Sequence, residues 1–175
     1  MSLPPEPDRS ATTDLLIGRG IALAALRTPA KTALVIGRRR LTFTQLNAAI
    51  ERIAARLADL GIERGDRLAV RPRAGPEPLL VLLAAARLGV VTAILPGPAG
   101  GDDQQQLLRQ LRPRLVLMLD DQPPAWSQLA QDPFPGRARW QARPDDPFLI
   151  GYTSGSSGRP KGVVRAQRAW ALSFV

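Results

Sequence analysis

The sequence predicts an α/β fold: a βαβ-wound, mostly parallel sheet with flanking helices. Three observations carry that reading. Between residues 67 and 119 the chain alternates strand, helix, strand, helix, strand. Each crossover is long enough to return the next strand parallel to the last. Of the 175 residues, 45% are apolar, which suits a chain that buries a core rather than a disordered one.

The elements follow in order. Residues 1–13 are rich in proline and polar side chains and read as a disordered leader. From Asp14 to Leu26, Leu15, Leu16, Ala22, Leu23 and Leu26 recur at helical spacing, and Pro29 stops the helix. Ala33-Leu34-Val35-Ile36 is a short strand, Gly37-Arg38-Arg39-Arg40 a tight turn, and Leu41-Thr42-Phe43 the returning strand of a hairpin. Thr42 or Thr44 caps the next helix, whose apolar face is Leu46, Ala49, Ile50, Ile53, Leu57 and Leu60. Gly61 supplies its left-handed stop. The loop Ile62 to Asp66 leads to a strand over Arg67 to Arg71. Pro76 and Pro78 open a helix, where missing N–H groups cost little, and it ends at Gly89. Val90 to Leu95 is a β-branched strand, and Pro96 to Gly101 a loop. Asp102 or Asp103 caps a helix running to Leu111, and Arg114 to Leu119 is a strand.

Residues 120–147 hold six of the 17 prolines and read as loop, with a weak helix near Trp126 to Ala130. Phe148 to Tyr152 is a strand, a Ser/Gly loop follows, and Arg168 to Val175 starts a helix. That helix has no stop signal and ends on Phe174-Val175, so the chain is expected to be the front part of a longer domain.

Composition excludes several chemistries. With no Cys there is no disulfide framework, thiol nucleophile or zinc-thiolate site; with no His there is no Ser-His-Asp triad and no imidazole base. No residue set reads as a metal site of its own. The net charge of +9 invites a nucleic-acid reading. Yet all but Lys31 and Lys161 of the 24 cations are arginines spread along the chain, and aromatics are only 5%. Rings and cations do not interleave as in single-strand binders, so a solvated basic surface is expected and no nucleic-acid partner. The most apolar run, Leu79 to Ala86, is far short of the roughly 20 residues of a membrane span. The N-terminus lacks the basic and apolar regions of a signal peptide, so a soluble, cytoplasmic chain is expected.

The informative stretch is Tyr152-Thr153-Ser154-Gly155-Ser156-Ser157-Gly158-Arg159-Pro160-Lys161-Gly162. It is placed between a strand and a helix, where α/β sheets bind ligands. Its glycines let backbone N–H groups converge on an anion. Thr153, Ser154, Ser156 and Ser157 add hydroxyl donors, and Lys161 a mobile point charge suited to polyphosphate. It is not a Walker A loop: Arg159 and Pro160 separate Gly158 from Lys161, and Gly162 stands where that motif needs a hydroxyl. A Ser/Gly loop alone is most often a connector; the Pro-Lys-Gly ending and the apolar strand before it favour phosphate.

Tyr152 to Gly162 resembles the phosphate-binding signature of the acyl-adenylate-forming (AMP-binding) superfamily, which includes acyl-CoA synthetases and nonribosomal peptide adenylation domains. The family form is Tyr-Thr-Ser-Gly-Thr-Thr-Gly-x-Pro-Lys-Gly, from which Ser156 and Ser157 depart while keeping the hydroxyls. Leu41 to Asp66 and Ala84 to Pro96 are similar to two earlier family blocks, in the family's order. Two departures stand out. Gln167 occupies a place where many members carry a His near the acyl site, and Thr92 replaces an aromatic.

The resemblance implies that residues 14–175 are a partial N-terminal AMP-binding domain, the incomplete N-terminal part of the large domain of an adenylate-forming enzyme. The adenine-, magnesium- and ribose-binding segments and the catalytic lysine would lie beyond Val175, so no catalytic residue is assigned here. It implies a reaction in which a small-molecule carboxylate and ATP, with Mg²⁺, give acyl-AMP and pyrophosphate. A thiol of coenzyme A or a carrier protein then takes the acyl group. Thr153, Ser154, Gly155, Ser156, Ser157, Gly158 and Lys161 would hold the phosphates. Tyr152 is expected in the core and Pro160 at the loop exit. No turnover is expected of the isolated chain, and a surface left open by a missing remainder would favour association. The alternative is a non-catalytic remnant that binds a nucleotide or a partner.

Overall fold

The computed structural model describes residues 15–72, 74–96, 102–119, 141–153 and 161–174. In chain order the elements are α1 (Arg19–Arg27), β1 (Thr32–Ile36), β2 (Arg39–Thr42), α2 (Phe43–Asp59), β3 (Arg67–Arg71), α3 (Glu77–Leu88), β4 (Val91–Ile94), α4 (Asp102–Leu111), β5 (Leu115–Met118), β6 (Pro147–Thr153), β7 (Lys161–Ala166), α5 (Gln167–Ala171) and a closing 3₁₀ turn, Leu172–Phe174. The proposed leader and the helix near Trp126 to Ala130 lie outside the described residues.

Local chemistry explains most boundaries. The Thr42 hydroxyl accepts from Gln45 N–H at 3.2 Å, and Gln45 Oε1 accepts from Thr42 N–H at 2.9 Å. This reciprocal cap fixes where β2 becomes α2. It also makes Phe43 the first helical residue rather than the last of the strand. Gly61, at φ +76°, ends that helical stretch as expected. Gly18, at φ +81°, delays α1 to Arg19, five residues past the start that periodicity alone predicts at Asp14. Pro76 and Pro78 flank the first residue of α3, and Gly89 at φ +74° closes it.

The main sheet has the order β5-β3-β4-β6-β7; β1 and β2 form a separate antiparallel hairpin. β3 is parallel to both β4 and β5, β4 is parallel to β6, and β6 is antiparallel to β7. The sheet is therefore mostly parallel, as predicted. Leu68, Ala69 and Val70 of β3 are fully buried, as a central strand covered on both faces requires. Leu68, Val70 and Leu117 pack with Leu46, Ile50, Ile53 and Leu57 of α2 and with Leu80 and Leu83 of α3. The alternate residues Ala69 and Ala93 pack on the opposite face with Leu95 and Leu111, beside Leu108 of α4. The period of two along each strand thus sends α3 and α4 to opposite faces. Among the described residues no helix is long and apolar enough to cross a membrane.

One expectation is corrected. Lys161 and Gly162, read as the end of the Ser/Gly loop, and Val163 to Ala166, which precede the expected helix, form β7 and pair with β6 from Thr153↔Lys161 to Pro147↔Ala166. Val163 and Val164 are β-branched and sit opposite Gly151 and Ile150, so cross-strand pairing decides a segment too short for its own periodicity to speak.

The edge of the sheet where the parallel strands begin is held at Asp146. Arg64 Nε donates to Asp146 Oδ2 at 2.8 Å and Arg64 Nη2 to Oδ1, while the Arg143 N–H donates to Oδ2 at 2.8 Å. The Asp146 carbonyl accepts from Gln167 N–H at 2.9 Å. Gly89 passes so close that a Cβ there would lie 2.9 Å from Asp146 Oδ2 and 2.8 Å from Arg64 Cγ. Burial opposes ionisation of Asp146, but hydrogen bonds from Arg64 and the Arg143 backbone, with their charges, outweigh it and hold the carboxyl below its ordinary value.

Asp146→Ala is expected to destabilise the chain by about 2 kcal/mol at pH 7 in urea denaturation, the scale of a lost charge-assisted hydrogen-bond set. A carboxyl with a depressed native pKa contributes stability above its unfolded value of about 3.9, lost as pH falls through the native value. The gap between wild type and Asp146→Ala should therefore close below about pH 4. Gly89→Ala should cost about 1–2 kcal/mol, because it adds both a strained φ and a clash.

Candidate functional site

β3, β4, β5 and β6 are mutually parallel, so their C-terminal ends share one edge of the sheet. The chain runs from β3 into α3 on one face and from β4 into α4 on the other. The winding therefore reverses between β3 and β4, the position at which open α/β sheets form ligand crevices. β6, next to β4, ends at Thr153 on the same edge.

Of the expected phosphate-binding residues, Thr153 and Lys161 are placed: they are register partners at the open end of the β6–β7 hairpin. Paired residues across antiparallel strands lie about 5 Å apart at Cα, so the two ends of the intervening loop are held together. Ser154, Gly155, Ser156, Ser157 and Gly158 lie outside the described residues. The loop is thus bounded by two strands, not by a strand and a helix. Lys161, the first residue of β7, is exposed.

The hairpin is shaped by Tyr152 and Gly162, which also pair. A Cβ at Gly162 would sit 3.1 Å from Ile150 Cγ2 and 3.5 Å from Tyr152 Cε1, so glycine leaves room for the ring. Tyr152 packs against the Ala69, Ala93, Leu95 and Leu111 cluster, as expected of a core residue, and burial pushes its phenol up.

Gln167 belongs to the scaffold. It is fully buried; its Oε1 accepts from Ile17 N–H at 2.9 Å and its Nε2 donates to the Ala86 carbonyl at 2.7 Å. An amide can do both at once, whereas a neutral imidazole reaches them only through opposite ring nitrogens. Trp170, one turn on in α5, meets Phe148 edge to face at 5.7 Å between centroids.

Sequence reasoning passed over Arg71. It ends β3 beside the reversal point, and only 5% of it is exposed. The available signal was a charged residue closing the apolar run Leu68-Ala69-Val70. Among the described residues, no three carboxylate, His or Cys side chains come together as a metal cage.

Comparison with known proteins is consistent across sequence and fold. The sequence model described as AMP-binding enzyme matches residues 21–174. An indoleacetate–CoA ligase of Aromatoleum aromaticum is 31% identical, over 84% of this chain and 34% of that protein. Surfactin synthase subunit 2 of Bacillus subtilis is 30% identical, over 80% of this chain and 4% of that protein. The N-terminal subdomain of NpsA from Klebsiella oxytoca, solved in complex with 3-hydroxyanthranilyl-AMSN, superposes with a TM-score of 0.75 at 26% identity. That match covers 87% of this chain and 41% of that one. The chain spans about a third of the length of the indoleacetate–CoA ligase it matches.

Tyr152 is the one tyrosine in the sequence, so its ionisation can be followed alone by ultraviolet absorbance. In the folded chain the phenol should titrate above its ordinary value near 10 and return to about 10 in urea. A folded-state midpoint at or below 10 would contradict the packing of the ring beneath the hairpin.

Proposed function

The chain belongs to the AMP-binding enzyme family, and from that premise we propose that it carries the phosphate-gripping part of an ATP-dependent acyl-activating ligase. In that reaction a carboxylate oxygen attacks the α-phosphorus of ATP. The bond to the bridging oxygen breaks, acyl-AMP forms, and pyrophosphate leaves with the electron pair. The acyl group then passes to a thiol, of coenzyme A or of a carrier protein, and AMP departs.

One observation supports the role of this chain most directly. A Ser/Gly sequence ending in Pro-Lys-Gly is anchored between register partners at the C-terminal edge of a parallel sheet. Donors held there stabilise the charge that gathers on the departing pyrophosphate. Thr153, Ser154, Ser156 and Ser157 offer hydroxyls, the backbone near Gly155 and Gly158 offers N–H groups, and Lys161 offers an ammonium. The catalytic groups, the acyl specificity and the acceptor thiol are not assigned to residues of this chain. The match to a CoA ligase and to a probable nonribosomal peptide synthetase fits either acceptor.

A second reading is favoured by Gln167. Its side chain is spent on the scaffold, so a non-catalytic nucleotide-binding role also fits. Calorimetric titration tests the nucleotide contact that both readings share, and pyrophosphate exchange tests whether the chain turns over alone. The 175-residue chain should bind Mg-ATP, and Lys161→Ala should weaken that binding about tenfold, the worth of one charge-assisted contact. Unchanged affinity in Lys161→Ala would remove the phosphate assignment. With a panel of carboxylates the chain alone should give no exchange. Robust exchange would make this chain a sufficient catalyst and exclude the non-catalytic reading.

A further inference from the structure

An open depression of about 510 Å³ lies at the edge where the parallel strands begin, between β3 and the end of α4. Its volume is that of a small-molecule site. It is lined by Arg67, the first residue of β3, by Gln106, Arg109 and Gln110 of α4, and by Arg112 just past that helix. None of these belongs to β6 or β7, and β6 ends on Thr153 at the other end of the sheet. The depression is therefore separate from the phosphate loop.

The lining has a single chemical character. Every side chain in it carries N–H donors, three are guanidiniums, and none is a carboxylate. Among the described residues, Arg67, Arg109 and Arg112 take part in no ion pair. The carboxylate beside them in sequence, Asp66, accepts from the Glu63 N–H at 2.9 Å within its own turn. Three like charges around one depression repel each other, and a bound anion relieves that repulsion.

The backbone at Arg112 is an independent observation. With φ +47° it is the one non-glycine residue, among those described, in the left-handed region. It follows Leu111, and its N–H donates to the Leu108 carbonyl at 2.9 Å. This is the helix stop at which glycine is usual, as at Gly89 after α3. Pro113 steers Arg112 away from helical backbone, but it does not call for an arginine. A Cβ strains this conformation, so an arginine stands where glycine fits better. The Arg114 N–H donates to the Arg67 carbonyl at 2.7 Å, which holds the turn against the start of β3. The helix dipole accounts for a cation at Arg109, in the last turn of α4, but not for Arg67 on a strand.

We propose that this depression binds an oligophosphate, its oxygens on the guanidiniums of Arg67, Arg109 and Arg112. Each planar fork can pair two N–H groups with two oxygens of one phosphate, and linked phosphates supply the several charges that three arginines can meet. The full 175-residue chain, as wild type and as Lys161→Ala, would be titrated with tripolyphosphate, ATP and the trianionic carboxylate citrate. Ionic strength would be held at about 0.15 M. The side-chain amide NMR signals of Gln106 and Gln110 and the melting temperature would be the readouts. Tripolyphosphate should move both signals equally in the two backgrounds. An equal response to ATP identifies a nucleotide's phosphate chain as the ligand, and a response to tripolyphosphate alone identifies the free anion. Arg67→Gln and Arg109→Gln should each weaken binding about tenfold. Arg112→Gly should weaken it as much while raising the melting temperature of the unliganded chain, because the turn is relieved. Arg56→Gln removes the same charge from the exposed side of α2 and should change affinity less than about twofold. Backbone amide spectra establish that each variant is folded. The proposal is overturned if no oligophosphate moves the two glutamine signals, or if citrate binds as tightly. It is equally overturned if folded Arg67→Gln and Arg112→Gly keep wild-type affinity, or if Arg56→Gln costs as much as they do.

Discussion

The structure turns on the junction at Asp146. One carboxylate and its own carbonyl gather the turn before β3 through Arg64, the entry to β6 through Arg143, and the start of α5 through Gln167. Gly89, the close of α3, threads between them. Gln167 extends the junction to Ile17 and to the Ala86 carbonyl of α3. Segments 81 to 150 residues apart in sequence are thus tied by hydrogen bonds. Asp146 and Gln167 are buried, where an unmet partner is costly. The junction sits where the parallel strands start, opposite the edge at which β6 ends on Thr153.

Covering both faces of a parallel sheet creates the crevice. α3 and α4 lie on opposite faces, so the winding reverses between β3 and β4. β6 extends the same edge, and β7 folds back antiparallel, so that Thr153 and Lys161 pair. In the proposed reaction the donors would be hydroxyls, backbone N–H groups and one lysine, in a chain without any His or Cys.

Much of this was legible in advance. The apolar stripe of α2, its Thr42 cap, the Gly61 and Gly89 stops and the Pro-flanked start of α3 are local signals, each read from a few neighbouring residues. The alternation from Arg67 to Met118 implied parallel winding because no short turn can join parallel strands. β7 was not legible. Its six residues show neither a helical stripe nor a clear alternation, and they become a strand because β6 offers an edge to pair with. Nor was the role of Gln167. A buried amide looks like any surface glutamine until Ile17 and Ala86 are seen on either side of it.

By itself, then, the sequence determined the fold class, most element boundaries and the resemblance that points to adenylate chemistry. These depend on periodicity, caps and a contiguous motif, all local along the chain. Only the tertiary structure decided that Thr153 and Lys161 pair across two antiparallel strands, that Asp146 organises the opposite edge, and that Glu77 is buried at the start of α3. Those facts depend on burial and on partners distant in sequence. The same carboxylate is a surface charge or a buried group according to what surrounds it.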